Sequence, residues 1–218
     1  MERKNLNAYL MEAKAGRWAM GHFNFATEDI LHAIVEGAKE GGAPAVMVGT
    51  SEGEADFFGM AEAVAVTRAI AERYDFPVFL NADHFRSFTK VKEAIDAGYD
   101  SIIIDPKEMS YDEKVVLAKE VVEYAKAKNR DISVESELGY LKGSSEVQKK
   151  IEITPADYTK PEEAQDFIER TGVDRLAIVF GNFHGVATEQ EEHLDIEHFK
   201  KIISVAPDVF YVLHGASG

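Results

Sequence analysis

The sequence contains no cysteine among its 218 residues. Disulfide scaffolds, thiolate zinc sites and thiol nucleophiles are therefore excluded. Any transition metal that the chain binds must be held by histidine and carboxylate side chains.

Basic residues are in the minority, with 24 Lys and Arg against 39 Asp and Glu, which gives a net charge of −15. This balance argues against nucleic acid or an anionic membrane as the main partner. A phosphorylated small molecule can still bind, but only through local backbone N–H groups, a few basic side chains or a metal.

Long apolar runs are also absent, since no segment reaches the ~18–20 residues of a membrane span. The first residues, Met1–Leu6, contain no apolar signal region. Because 45% of residues are hydrophobic, the chain can still bury a sizeable core and is not disordered as a whole. We therefore expect a soluble, cytoplasmic protein.

Short apolar runs alternate with longer amphipathic stretches along the whole chain. The runs are typical of strands buried on both faces, as in a parallel sheet under helices: Trp18–Phe23, Ala45–Val48, Pro77–Asn81, Ser101–Asp105, Ile132–Glu137, Leu176–Phe180 and Val209–His214. The segments between them predict helices over 6–15, 27–40, 61–73, 89–97, 111–128, 161–171 and 195–205. The longer gap at 140–158 predicts a structureless functional loop.

This alternation predicts an α/β fold with right-handed βαβ units, either a (β/α)₈ TIM barrel or an open doubly wound sheet. No GxGxxG follows the first strand and no GxxxxGK[ST] occurs anywhere, so a nucleotide-binding open sheet loses support. We find no linker that would divide the chain.

Reactive side chains stand at the ends of the predicted strands, where barrel enzymes place their chemistry. Three of them are His84, His184 and His214, which suit a His₃ zinc site with an open position. A strand-end histidine can equally be a hydrogen-bonded structural residue. Similarly, Asp83 could cap the next helix, and Asp105 before a proline could begin a turn.

At these residues the sequence resembles the class II, metal-dependent fructose-bisphosphate aldolases and their tagatose-bisphosphate relatives. The matching motifs occur in the family's order: Phe23-Asn24, Thr50–Gly53, Asp83-His84, Ala94–Gly98 leading to Asp105, Glu135–Gly139, Tyr158–Pro161, Thr171–Asp174, Gly181–Gly185 and Leu213–Gly218. The resemblance implies a TIM barrel, dimeric or tetrameric, that cleaves a ketose bisphosphate by reversible retro-aldol chemistry in carbohydrate metabolism, such as glycolysis.

The resemblance also implies roles for individual residues. It makes His84, His184 and His214 the zinc ligands, Glu137 a carboxylate at an alternative metal position, and Asp105 the residue associated with a second divalent cation. Asp83 becomes the acid/base at the substrate C4 hydroxyl, and Glu146, on the loop, the candidate for the second proton transfer. Asn24 and Ser51 match substrate or phosphate contacts, and the backbone or hydroxyl groups of Gly185, Gly215 and Ser217 match those that hold phosphate and a monovalent cation.

Retro-aldol cleavage leaves an enediolate, which needs a cation at its oxygens, and zinc is a Lewis acid that stabilises such charge by several kcal/mol. The products expected from fructose 1,6-bisphosphate, the first candidate substrate, are dihydroxyacetone phosphate and an aldehyde phosphate. No Schiff-base lysine is then needed, and no predicted strand ends in an obvious buried lysine.

Some features depart from the family. Phe85 and Arg86 follow the Asp-His pair where small residues are usual, so Arg86 contacts phosphate or the pocket accepts a different substrate. The family also continues into an eighth strand with part of the phosphate site. We therefore expect one TIM-barrel domain over 1–218 that ends after the seventh strand and lacks the eighth βα unit. The alternatives are a non-catalytic sugar-phosphate-binding barrel, and an aldolase for another ketose phosphate such as tagatose bisphosphate.

Overall fold

The computed structural model describes residues 4–106, 108–139 and 141–215. The chain falls into two compact units, Met1–Glu135 and Ser136–Gly218, and the boundary lies within one strand. In the described ranges, no helix is both long and apolar enough to cross a membrane.

The first unit alternates strands and helices. Its strands are β1 (His22–Asn24), β2 (Val46–Ser51), β3 (Val78–Phe85), β4 (Ser101–Ile104) and the beginning of β5 (Ser133–Leu138). Its helices are α1 (Leu6–Gly16), α2 (Glu28–Glu40), α3 (Glu52–Phe58), α4 (Met60–Arg73), α5 (Phe88–Ala97) and α6 (Tyr111–Lys128). The strands lie side by side in chain order, and β1 to β4 pair in parallel.

In the second unit, the end of β5 is followed in the sheet by β7 (Arg175–Ile178) and then β9 (Phe210–Val212), which pair in parallel with each other. The helices are α7 (Pro161–Thr171) and α8 (Ile196–Val205), with a 3₁₀ turn at Pro155–Asp157. A separate two-stranded sheet joins β6 (Gly143–Gln148) to β8 (His184–Ala187).

Burial explains why these segments form strands and helices. All four residues of β4 and all four of β7 are buried, as expected for strands covered on both faces. Helix α2 buries Leu31 and Val35, one turn apart, and begins with Glu28 and Asp29, which suit the positive end of its dipole. Each unit therefore has an apolar core under amphipathic helices.

Three helical turns begin with the same capping box, in which a hydroxyl and a carboxylate three residues later satisfy each other's backbone N–H. The pairs are Ser51 with Glu54, Ser110 with Glu113, and Thr154 with Asp157. The first of these specifies α3, a short helix that the apolar pattern did not predict.

Two further expectations from the sequence were wrong. The first strand begins at His22, not Trp18, because only three residues pair with β2. The segment 140–158 is not structureless, since it contains β6 and the 3₁₀ turn. Strand β6 pairs with β8 some 40 residues later, and no local pattern reveals such pairing.

Candidate metal centre and catalytic residues

In the first unit, β3 ends in a β-bulge that places Asp83 and His84. Its register against β4 shifts between Ala82 and Phe85, and His84 has a left-handed φ of 50°. Adjacent residues of a regular strand point to opposite faces, and a bulge changes the direction of a side chain. Here Asp83 Oδ1 lies 3.9 Å from His84 Nε2. The Asp83 and His84 side chains therefore lie next to each other at the end of β3.

A buried carboxylate orients the His84 ring. Asp105 follows β4 and is 4% exposed, and its Oδ2 lies 2.9 Å from His84 Nδ1. Histidines that bind metals commonly donate their other ring N–H to a carboxylate in this way. The contact fixes Nε2 as the His84 nitrogen that could ligate a metal.

Asp83 is also held from the other side. Asn24, at the end of β1, donates from Nδ2 to Asp83 Oδ2 at 2.8 Å and to Glu54 Oε2 at 3.2 Å. Glu54 Oε2 accepts from Ser51 Oγ at 2.8 Å and from Ser51 N at 2.7 Å. The ends of β1, β2 and β3 are thus joined by one polar network.

Arg86 follows the bulge and is exposed. Its backbone N–H donates to Glu52 Oε1 at 2.7 Å, which fastens the end of β3 to the start of α3. The Arg86 backbone therefore lies at the same edge of the first unit as the start of α3.

The second unit brings two of the predicted histidines together with a glutamate. The ring centroids of His184 and His214 are 6.1 Å apart, with planes tilted by 59°. Glu137 Oε2, on β5, lies 4.0 Å from His214 Nδ1. The His214 and Glu137 side chains are only 9% and 10% exposed. A paired imidazole set next to a mostly buried carboxylate is a donor set that suits zinc.

Backbone contacts fix where these histidines stand. Asn182 is fully buried, accepts from Phe180 N at 2.9 Å and donates to the His214 carbonyl at 3.1 Å. Gly215 has φ +85°, and a Cβ there would lie 2.0 Å from the Phe183 carbonyl oxygen. Only glycine allows the two strand ends to approach this closely.

The small sheet holds the His184 backbone. His184 N donates to the Lys142 carbonyl at 2.9 Å, and Gln148 Nε2 donates to the His184 carbonyl at 3.1 Å. Lys142 Nζ in turn contacts Asp157 Oδ2 at 2.8 Å, and this ammonium holds the pKa of Asp157 below its ordinary value. Glu146 lies on β6 with an exposed side chain.

Each predicted site residue can now be placed. In the first unit the structure brings together Asn24, Ser51, Asp83, His84 and Asp105, with Arg86 at their edge. In the second it brings together Glu137, His184 and His214, with Gly215 beside them and Gly185 in a left-handed conformation at φ +86°. Ser217 lies outside the described residues.

Sequence reasoning missed two residues of this region. Glu54 belongs to a Ser-x-x-Glu capping-box signature, which the sequence displays openly. Asn182 stands in a recognised motif, but only the fold shows that its side chain links two strand ends.

Comparison with known proteins identifies the family of the chain. The family model described as fructose-bisphosphate aldolase class-II matches residues 4–218. The structure is similar to that of the YdjI aldolase from Escherichia coli K12, with 29% identity and a TM-score of 0.82 over 98% of this chain and 73% of that chain. It is also similar to fructose-bisphosphate aldolase (Fba) from Campylobacter jejuni, with 25% identity and a TM-score of 0.76 over 98% and 69%.

These matches confirm the predicted α/β, TIM-barrel-like fold class and the prediction of an enzyme. They also support a role in carbohydrate metabolism with a phosphorylated sugar as substrate. Because the family model spans nearly the whole sequence, the chain belongs to the class II fructose-bisphosphate aldolase family and is a lyase.

Proposed function

We propose that this chain is a zinc-dependent aldolase that reversibly cleaves a phosphorylated ketose to dihydroxyacetone phosphate and an aldehyde. The proposal depends mainly on one observation, made separately in each unit: a carboxylate accompanies a strand-end histidine. The distances are 2.9 Å from Asp105 to His84 and 4.0 Å from Glu137 to His214.

The residues present fit a zinc ion. The donor set is imidazole and carboxylate, which is what a cysteine-free chain can offer this metal. We propose His84, His184 and His214 as the ligands, with Glu137 as an alternative ligand. Asp105 orients His84 and is our candidate for a second divalent cation. When bound, the metal supplies a Lewis acid for the charge that develops on the substrate oxygens.

Asp83 is our candidate for the catalytic acid/base. It must accept the proton of the C4 hydroxyl as the bond between C3 and C4 breaks, and return it in the condensation direction. The amide of Asn24 holds one carboxylate oxygen at 2.8 Å, so the group that transfers the proton is fixed in orientation. Glu146, exposed on β6, is the candidate for the second proton transfer, at the carbon of the three-carbon fragment.

The phosphate next to the reacting carbonyl would bind to backbone N–H groups and the hydroxyl at Gly185, Gly215 and Ser217, together with a monovalent cation. Both glycines have positive φ, which lets the backbone approach a ligand closely. Asn24, Ser51 and Arg86 are the proposed contacts for the rest of the substrate. Fructose 1,6-bisphosphate is the reference substrate, and tagatose bisphosphate and other ketose phosphates are the alternatives. We further propose a cytoplasmic homodimer or homotetramer that acts in glycolysis or a related route.

The direct test is metal content and cleavage on one preparation. We expect about one zinc per chain in the enzyme's catalytic site, loss of cleavage with a chelator, and recovery when zinc is restored. Cleavage that persists in the chelated protein would exclude the metal mechanism.

A variant pair makes the test specific. His184→Ala should lose both metal and turnover, whereas His193→Ala, at an exposed histidine of the same unit, should keep both. Equal metal content in the two variants would contradict the proposed ligand set.

A further inference from the structure

The edge of the first unit proposed to contact the substrate contains a carboxylate that the sequence motifs did not assign. Glu54 Oε2 accepts hydrogen bonds from Ser51 Oγ at 2.8 Å, from Ser51 N at 2.7 Å and from Asn24 Nδ2 at 3.2 Å. Ser51 and Asn24, which are the proposed donors to a substrate phosphate, therefore already donate to the Glu54 carboxylate.

At Asn24, a second carboxylate adds to the charge that would repel a bound phosphate. The same Nδ2 donates to Asp83 Oδ2 at 2.8 Å, so the amide lies between two carboxylates. A phosphate that reached Asn24 or Ser51 would stand next to Asp83 and Glu54. Like charges at such short distances repel each other, which disfavours phosphate binding at this position.

The surrounding charges do not offset this. Glu52 adds a third carboxylate, whose Oε1 accepts from Arg86 N at 2.7 Å. Lys90 is neutralised by Asp56, with 2.6 Å between Nζ and Oδ1. Among the described residues of this edge, Glu52 and Asp83 are therefore two further carboxylates close to Glu54.

The role of Glu54 in capping α3 does not by itself explain why its carboxylate also contacts Asn24. Glu113 caps α6 in the same way, with Ser110 N and Ser110 Oγ at 2.8 Å and 2.6 Å from its Oε2. Within the part of the chain that the structure describes, Glu113 makes no contact of the kind that Glu54 makes with Asn24. Of the two Ser-Glu capping boxes in the described residues, the one at Ser51 and Glu54 is joined through Asn24 to the proposed acid/base.

We propose that Glu54 is a specificity-determining residue that selects a neutral, hydroxylated substrate end at Asn24 and Ser51. A carboxylate accepts hydrogen bonds from sugar hydroxyls and repels a phosphate in the same position. The preferred substrate is then a ketose with one phosphate, held in the second unit, and not a ketose bisphosphate. This inference rests on the proposed aldolase function and narrows its substrate class.

The experiment compares fructose 1-phosphate with fructose 1,6-bisphosphate on the zinc-loaded protein and on Glu54→Gln. We expect the original protein to have the higher kcat/KM for the monophosphate. The Gln variant removes the charge and keeps the size of the side chain, so the preference should shift toward the bisphosphate by at least about tenfold. Glu113→Gln is the matched control, and it should leave the ratio of the two kcat/KM values unchanged.

A binding measurement makes the result independent of turnover. Calorimetry of both sugars with the chelated protein should give the same order of affinities and the same shift in Glu54→Gln. If neither sugar is cleaved by zinc-loaded protein, the proposed function fails, and the calorimetric ratio still decides this inference. A preference for the bisphosphate in the original protein, or an unchanged ratio in Glu54→Gln, would overturn it. A selective loss of bisphosphate binding in Arg86→Ala would also overturn it, because it would show that Arg86 holds a second phosphate.

Discussion

At the scale of single residues, the candidate site depends on backbone conformations as much as on side chains. Asp83 and His84 are neighbours in sequence, and a regular strand would separate them. The bulge and the left-handed φ of His84 bring both to one place. The motif singles out Asp83 and His84 as candidates, but the bulge depends on the register with β4, which no local sequence pattern specifies.

Asp105 provides a prediction at this scale. Because its carboxylate orients His84 at 2.9 Å, we expect Asp105→Asn to weaken zinc binding by about 10–100-fold. Competition with a chelating dye measures this affinity. Asp29→Asn, at an exposed position of α2, is the control, and equal affinities in the two variants would mean that Asp105 does not act on the metal.

Gly215 provides a second prediction at the scale of single residues, about stability. A Cβ at this position would lie 2.0 Å from the Phe183 carbonyl oxygen, and the backbone has φ +85°. We therefore expect Gly215→Ala to lower the free energy of unfolding by about 1–3 kcal/mol. Gly37→Ala, in α2 with no atom within 4 Å of the added methyl, should instead raise it by about 0.5–1 kcal/mol. Thermal melts that shifted equally in both variants would contradict the close approach.

At the scale of elements, the helices and strands that depend on local sequence signals could be predicted, and those that depend on pairing with a distant segment could not. Helix α7 could be predicted from Pro161 in its first turn and Gly172 at its end, because these signals are local. Strand β6 could not, since it forms only when β8 lies beside it. Helix α3 was predictable in principle from its capping box, which the apolar pattern alone conceals.

The ion pair between Lys142 and Asp157 gives a prediction about the small sheet. Lys142 also donates to the Glu152 carbonyl at 2.9 Å, so it fastens the segment before β6 to the 3₁₀ turn. We expect Lys142→Met to speed amide hydrogen exchange in β6 and β8 while α7 keeps its protection. Unchanged exchange in β6 would show that the ion pair does not hold the sheet.

The pH dependence of this contact has a definite sign. The hydrogen bond from Lys142 holds the pKa of Asp157 below its ordinary 3.8. A lowered folded-state pKa gives stability that is present above the unfolded value and is lost as pH falls through the folded one. Protection of β6 should therefore persist down to about pH 4 and fall below it. In Asp157→Asn the protection should be lower and should show no such step.

At the scale of the whole molecule, the alternation of strands and helices was enough to predict an α/β fold, but it left a barrel and an open sheet as alternatives. The resemblance to class II aldolases favoured the barrel, and the matches to known aldolases confirm the TIM-barrel-like fold class. The alternation is visible in the sequence because strands such as β4 and β7 are buried on both faces, which makes their apolar runs continuous. The substrate preference that we propose was less predictable, because it rests on which donors are already bonded to carboxylates, as at Asn24.

The net charge of −15 provides a prediction for the intact protein. We expect no retention on a heparin or nucleic-acid column at 0.1 M salt, because the proposed phosphate contacts are local and the overall field repels polyanions. Retention that weakens with added salt would reveal a basic surface and contradict this expectation.

The most direct test of the proposed chemistry is a zinc anomalous difference map from crystals of the zinc-loaded protein. Our proposal predicts one strong peak about 2.0–2.1 Å from a ring nitrogen of each of His84, His184 and His214. A zinc peak bound by the histidines of only one unit, or at other residues altogether, would contradict it.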